Sequence, residues 1–298
     1  VSASVGIAFV ARDDADYVDA LRRADIAMYQ AKQEGKNRYA IYSTELEVET
    51  GARNARATII REGLDSGNFS LAWQPIVDLA TLRPVGAEAL LRFANGHDEK
   101  AHSPAEIIRT AEETGQIEHL GAWVLNKALQ EGRTIDELVS SGRYLAINIS
   151  ARQINDAFLT NLKGALERCS FPPSCLVIEI TETAVISRFE KAVEILNGVR
   201  ALGVRVALDD FGVGYSSLGY LNRLPVDIIK LDRSLIHGLQ AADGAKDARR
   251  RSIALIRSIT SLARDLGIAV VAEGIETEAE AQVLADLGVD RGQGYEPG

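Results

Sequence analysis

Cysteine is almost missing from this 298-residue chain, which has only Cys169 and Cys175. Two thiols cannot form a disulfide framework and their spacing fits no zinc motif, so they are read as free thiols of a cytosolic protein. Histidine is scarce and scattered (His97, His102, His119, His237). That argues against an imidazole-rich zinc, copper or iron centre and leaves a hard cation held by oxygen as the expected metal. Positive charge is in deficit: 33 Lys and Arg stand against 42 Asp and Glu, a formal net charge of −9. Gripping a nucleic-acid polymer through bulk charge needs clustered cations, and this balance excludes it. No apolar run approaches the roughly 18 residues needed to cross a bilayer. There is no low-complexity tract and no short-period repeat. The chain does not start with Met and has no positively charged leader, so it is read as a piece of a longer protein.

What remains is ordinary globular material, 46% hydrophobic and 25% charged. The length suggests two domains. Residues 1–46 carry a strand pattern at 5–10, a helix pattern at 16–34 with Val18, Leu21, Ile26, Met28 and Tyr29 on one stripe, and a strand pattern at 39–42. Gly35 suits the end of that helix. A piece this small is near the lower limit for folding alone and reads as the tail of a larger domain. The polar stretch 43–58 reads as a linker running into a helix, giving expected boundaries of 1–46, 47–58 and 59–298. Beyond it, strand patterns (70–77, 85–93, 144–149, 176–180, 204–208, 227–231, 268–272) alternate with helix patterns (104–114, 120–138, 151–169, 189–202, 245–266, 278–287). Val-, Ile- and Leu-rich runs between amphipathic helices imply parallel strands buried on both faces. The length matches a β/α barrel of about 250 residues. An open doubly wound sheet is the alternative, but no glycine-rich phosphate loop follows the first strand.

Ionisable residues recur where these apolar runs end: Asn148, Glu179, Asp209 with Asp210, Lys230 with Asp232, and Glu273, while Glu88 lies inside 85–93. Each has a bland reading taken singly. An Asp after a strand usually caps a helix, Glu88 could pair with Arg92, and Lys230 could pair with Asp232 on the surface. A carboxylate behind four apolar residues costs several kcal/mol if unpaired, however, and in a barrel all these strand ends meet at one mouth. Glu88, Glu179, Asp209, Asp210 and Glu273 sum to −5, and Lys230 brings the group to −4. Carboxylates so crowded cannot all ionise without cations; two divalent ions would balance them, Mg²⁺ or Mn²⁺ by ligand type. Such a pair sharing a carboxylate suits in-line attack on a phosphodiester.

The blocks AEALLRF with Glu88-Ala89-Leu90, WQPIVDL (73–79), NIS (148–150), EITET (179–183), DDFGVGYSSL (209–218), IIKLD (228–232), AEGIET (272–277) and GQGY (292–295) resemble, in this order, the EAL-domain cyclic-di-GMP phosphodiesterases. Trp73, Ile107 and Val213 stand where that family commonly has Tyr, Phe and Thr. The resemblance implies a modified β/α barrel with one antiparallel strand, hydrolysing cyclic di-GMP to linear pGpG with two Mg²⁺ or Mn²⁺ ions. It further implies Glu88, Asn148, Glu179 and Asp209 as ligands of a first metal, with Asp209 bridging to a second held by Asp210, with Glu273 and Asp232 close by. Lys230 would orient the attacking water, with Glu273 a second candidate base. Gln74, Arg92 and Gln293 would grip the substrate, and Glu182 would support the loop 209–218, whose Gly212 and Gly214 suit a mobile turn. A homodimer through the barrel is implied, as is a further helix after Tyr295, so the C-terminus is read as cut short. A non-catalytic cyclic-di-GMP receptor is the competing reading.

SVGIA (4–8) with RADIAMYQAKQEGKNRY (23–39) resembles the C-terminal end of a GGDEF domain. That implies an upstream GGDEF and sensory region, and a cytoplasmic chain or the cytoplasmic part of a membrane-anchored one. Lys32 and Lys36 match basic positions of that family but are read here as a solvated helix face.

Overall fold

A computed structural model describes residues 2–10, 17–93, 103–135, 142–212, 218–240 and 246–294. They divide into two units: the described residues of Val1–Phe69 with Phe93–Ile117, and those of Ser70–Arg92 with Glu118–Gly298.

In the first unit, β1 (Val5–Ile7) pairs in parallel with β2 (Tyr39–Ile41), and the helix Tyr17–Gln33 forms the crossover. Ala27 and Ala31 are its buried contacts. Gly6 is required by close approach, since a Cβ there would lie 1.8 Å from the Ala24 carbonyl oxygen. Lys32 and Lys36 are both exposed, as expected of a solvated face. The stretch 43–58, expected as a linker running into a helix, is helical from Thr44 onward. A single helix, Thr44–Ser66, starts at Ser43, whose side chain accepts from the Leu46 N–H, and ends at left-handed Gly67. The composition misled because its polar residues are partly core: Arg53 and Arg56 are buried. Arg53 stacks 4.8 Å from the Tyr29 ring centroid, and Arg56 Nε donates to Thr110 Oγ1 at 3.1 Å. Long arginine stems cover apolar surface while the heads find partners.

The second unit is built on a closed barrel in the order β10-β3-β4-β5-β6-β7-β8-β9. The strands are β3 (Phe69–Asp78), β4 (Pro84–Phe93), β5 (Tyr144–Asn148), β6 (Leu176–Thr181), β7 (Arg205–Phe211), β8 (Ile228–Leu231), β9 (Ala269–Ala272) and β10 (Arg291–Gln293). From β4 to β10 each strand runs parallel to the next, whereas β3 is antiparallel to β10. The reversal follows from a short connection. Asp78 accepts from the Thr81 N–H and hydroxyl at 2.8 Å, its N–H donates to the Arg83 carbonyl, and Leu82 adopts φ 55°. A turn this tight can join only antiparallel strands. The sequence patterns missed β10, because three residues reading Arg-Gly-Gln carry no apolar run.

Helices Ile117–Thr134, Asp156–Cys169, Phe189–Ala201, Lys246–Leu266 and Glu278–Asp286 follow strands of the barrel, and the main apolar core includes Leu125, Leu162, Leu196, Ile256 and Leu284 from them. Inside the barrel, Ile76, Ala146, Val177, Ala207, Ile228 and Val271 form an apolar ring with Tyr144. Side chains alternate along a strand, so residues two positions on share the inward face. That places Asn148, Glu179, Asp209, Lys230 and Glu273 above the ring at the C-terminal mouth. Gln74 joins them because β3 runs the other way. Asp227 and Asp290 fasten the opposite end, accepting from the Val206 and Val270 N–H groups at 2.9 and 2.7 Å.

Where β4 meets β5, a Cβ on Gly86 would lie 2.7 Å from the Tyr144 carbonyl oxygen and 3.0 Å from its ring. Gly86→Ala is expected to destabilise the fold by about 1–3 kcal/mol in urea titrations; an unchanged midpoint would contradict this close packing.

Candidate active site

The mouth is organised by one buried cation. Lys230 on β8 is 1% exposed. Its Nζ lies 2.6 Å from Glu179 Oε2 on β6, 2.6 Å from Glu273 Oε1 just beyond β9, 3.1 Å from Glu88 Oε2 on β4 and 3.6 Å from Asp209 Oδ1 on β7. Glu88 also accepts from Asn148 Nδ2 at 2.5 Å and from Gln293 Nε2 at 2.6 Å, and Gln293 Nε2 reaches Gln74 Oε1 at 3.0 Å. The bland pairings are thereby excluded. Arg92 donates Nη1 to the Leu91 carbonyl, and Lys230 faces the carboxylates of the mouth rather than a surface partner. Asp232 caps the helix Arg233–His237, accepting from the Ser234 N–H at 2.8 Å.

Adjacent Asp209 and Asp210 would face opposite sides of a regular strand. The β7–β8 pairing is irregular between Leu208 and Phe211, and Asp210 sits at φ 55° with its N–H donating to Asp209 Oδ1 at 2.9 Å. This break in the pleat keeps Asp210 near the charges of Asp209, Asp232 and Lys230. Glu182, buried, opens the short helix Glu182–Ser187 behind Thr181. Half of the 209–218 loop it is expected to support, residues 213–217 with Gly214 among them, lies outside the described residues, as does Tyr295.

Two supports of the mouth were not singled out from the sequence. Glu280 accepts from the Glu276 and Thr277 N–H groups at 2.8 and 3.0 Å, holding the turn after Glu273. Gln153 accepts from the Ser150 N–H at 3.0 Å, fixing the turn after Asn148. Both belong to capping boxes, and Thr277-x-x-Glu280 has the usual pattern.

The electrostatics show surplus negative charge. Burial pushes the Glu179 carboxyl well above the usual carboxylate range, despite Lys230 and helped by Glu88 and Asp209. Burial likewise raises Glu273 to about 7, and raises Asp210 with help from Asp209 and Asp232. At Glu88 burial is outweighed by Lys230 and by hydrogen bonds from Gln293, Lys230 and Asn148, so its carboxyl is held low. Burial opposes the Lys230 charge, yet Glu179, Glu88, Asp209 and Glu273 hold it protonated.

Among the described residues no group of three or more His, Cys, Asp and Glu is disposed to hold a metal ion. The carboxylates converge on the Lys230 ammonium instead. Their chemistry still fits a hard divalent cation: every donor is oxygen, one ammonium does not balance the group, and Gln293 Oε1 is enclosed without a hydrogen-bond partner.

A closed barrel with one reversed strand and an oxygen-donor mouth defines a TIM-like barrel of the EAL type. Residues 57–296 match the family model described as EAL domain, and residues 1–38 match that described as diguanylate cyclase, GGDEF domain. The chain belongs to the EAL-domain family and carries a short GGDEF fragment at its N-terminus. The Pseudomonas aeruginosa protein named bifunctional diguanylate cyclase/cyclic di-GMP phosphodiesterase MucR is 35% identical over 296 residues, which is 99% of this chain and 42% of MucR. Signaling protein YkoW of Bacillus subtilis is 33% identical over 99% of this chain and 36% of its own length. The chain therefore spans less than half of either relative. A solved structure described as "PaMucR Phosphodiesterase, c-di-GMP complex" has a TM-score of 0.72 at 34% identity, covering 80% of this chain and 94% of that one.

A carboxyl raised in the folded state stabilises the fold below its unfolded pKa and loses that contribution as pH climbs through the folded one. With divalent ions chelated, the chain is therefore expected to lose stability between pH 4.5 and about 7, on the order of 3 kcal/mol from Glu273. Glu273→Gln should flatten the chemical-denaturation profile across that window; an equally steep loss in the variant would count against the assignment.

Proposed function

We propose that this chain hydrolyses one phosphodiester of cyclic di-GMP to give linear 5′-pGpG. The observation that carries the reading is the convergence of Glu88, Glu179, Asp209 and Glu273 on Lys230 at the barrel mouth. In this family a related structure is named as a phosphodiesterase bound to c-di-GMP. Glu88, Asn148, Glu179 and Asp209 would hold one divalent ion, Mg²⁺ or Mn²⁺, and Asp209, Asp210, Asp232 and Glu273 a second. Such ions supply positive charge to the phosphate oxygens and lower the pKa of water.

The chain's own residues do the remaining work. Lys230 orients the attacking water from the floor of the site and offsets charge building on the phosphate. Glu273, whose carboxylate lies 2.6 Å from Lys230 Nζ, takes a proton from that water. Water oxygen bonds to phosphorus, the P–O3′ bond breaks, and the released 3′-oxygen takes up a proton, leaving a 5′-phosphate. Gln74, Arg92 and Gln293 bind the dinucleotide at the rim, and Glu182 supports the 209–218 loop. Residues 1–46 are the GGDEF remnant and 59–298 the barrel domain, with 47–58 joining them. The whole protein works in the cytoplasm as a homodimer under an upstream GGDEF and sensory region.

With Mg²⁺ present, purified chain should convert cyclic di-GMP to pGpG, and chelation should stop it. Asp209→Asn is expected to lower turnover more than about a hundredfold, since even outer partners of a metal site cost 10- to 100-fold. Lys230→Ala should lower kcat more than it raises KM. Tight binding without pGpG would favour the receptor reading, and near-normal Asp209→Asn turnover would defeat the ligand set.

A further inference from the structure

The opposite end of the barrel carries a cluster that the hydrolytic chemistry does not use. Tyr144, Arg205 and Arg291 open β5, β7 and β10, so all three lie at the N-terminal ends of parallel strands. The guanidinium carbons of Arg205 and Arg291 stand 4.8 and 5.1 Å from the Tyr144 ring centroid, so two cations share one aromatic ring. Tyr144 is only 2% exposed. Arg205 Nε and Arg291 Nη1 are enclosed and have no hydrogen-bond partner among the described residues, and the Tyr144 hydroxyl, enclosed beside them, lies within hydrogen-bonding reach of Arg291.

Among the described residues no carboxylate forms an ion pair with Arg205 or Arg291. The acids whose fields reach these arginines are already engaged: Asp227 pairs with Arg200 at 2.9 Å and accepts from the Val206 N–H, while Asp78 holds the β3–β4 turn. Arg205 Nη2 donates to the Ser174 carbonyl at 3.3 Å, which anchors the guanidinium and leaves Nε free. Burial and the neighbouring Arg291 both act against the Arg205 charge. Two guanidiniums, which only donate, and a phenol hydroxyl that can also donate form a set suited to an oxyanion, whose several acceptor oxygens can meet several fixed N–H and O–H groups. A halide offers the charge but not the directional acceptors.

We propose that Tyr144, Arg205 and Arg291 bind a small oxyanion with the size and charge of inorganic phosphate, at the barrel end remote from the carboxylates. The anion neutralises the arginine pair and clamps β10, the three-residue strand that closes the barrel against β3 and β9. Binding to the folded state alone raises thermal stability. The site does not depend on the hydrolytic reading.

The test uses the whole chain with divalent ions chelated and no nucleotide present. Its thermal midpoint is followed as inorganic phosphate replaces chloride at constant ionic strength. A saturable rise of a few degrees is expected. Arg205→Gln and Arg291→Gln should each abolish most of it, and Tyr144→Phe should require about tenfold more phosphate, the value of one charged hydrogen bond. Arg92→Ala, at the other mouth, should keep the full rise. No rise in the wild type, a rise that survives in either arginine variant, or one lost in Arg92→Ala would each overturn the proposal. Should the arginine variants not fold, ³¹P line broadening of phosphate decides: broadening by the wild type that weakens in Tyr144→Phe supports the site, and its absence refutes it.

Discussion

Everything at the mouth of this barrel depends on one ammonium group held out of water. Lys230 is fully buried and draws carboxylates from four different parts of the barrel, Glu88 within β4 and three at or beyond strand ends, to within 3.6 Å. Burying either charge alone would be costly, and the pairing is what makes the burial tolerable. The balance is incomplete, because one positive charge faces four carboxylates, with Asp210 and Asp232 close by. Burial, added to by the neighbouring carboxylates, raises the carboxyls of Glu179 and Glu273. A site of this kind is prepared for added positive charge, and the barrel scaffold holds like charges together that would otherwise separate.

The scaffold achieves this by alternation along short strands. An apolar ring separates an acidic layer at one end from the Tyr144, Arg205 and Arg291 layer at the other. Two irregularities complete the acidic layer. The reversed strand β3 delivers Gln74 beside Gln293, and the left-handed Asp210 breaks the pleat of β7 so that two consecutive acids stay near the site. The capping boxes at Ser150 and Thr277 then fix the turns that leave Asn148 and Glu273 in place.

Much of this was legible in the sequence because a buried carboxylate behind an apolar run is physically conspicuous. Glu179 and Glu273 announced themselves that way, and shared strand-end position brought Asn148, Asp209 and Lys230 with them. The central position of Lys230 was not legible, since it follows from distances across the barrel. Neither was β10: Arg291-Gly292-Gln293 becomes a strand only because β3 and β9 flank it. The full extent of the helix Thr44–Ser66 was masked by its polar composition, of which Arg53 and Arg56 turn out to be buried rather than solvated. The arginine pair around Tyr144 left no sequence trace, because an arginine opening a strand ordinarily reads as a surface residue.

The central claim is that the carboxylates around Lys230 are a ligand set for divalent cations. Anomalous diffraction from crystals of the chain grown with Mn²⁺ tests it most directly. The account predicts Mn²⁺ peaks at the C-terminal mouth, bounded by Glu88, Asn148, Glu179 and Asp209. Mn²⁺ absent from the mouth, with Lys230 keeping all four carboxylates to itself, would contradict it.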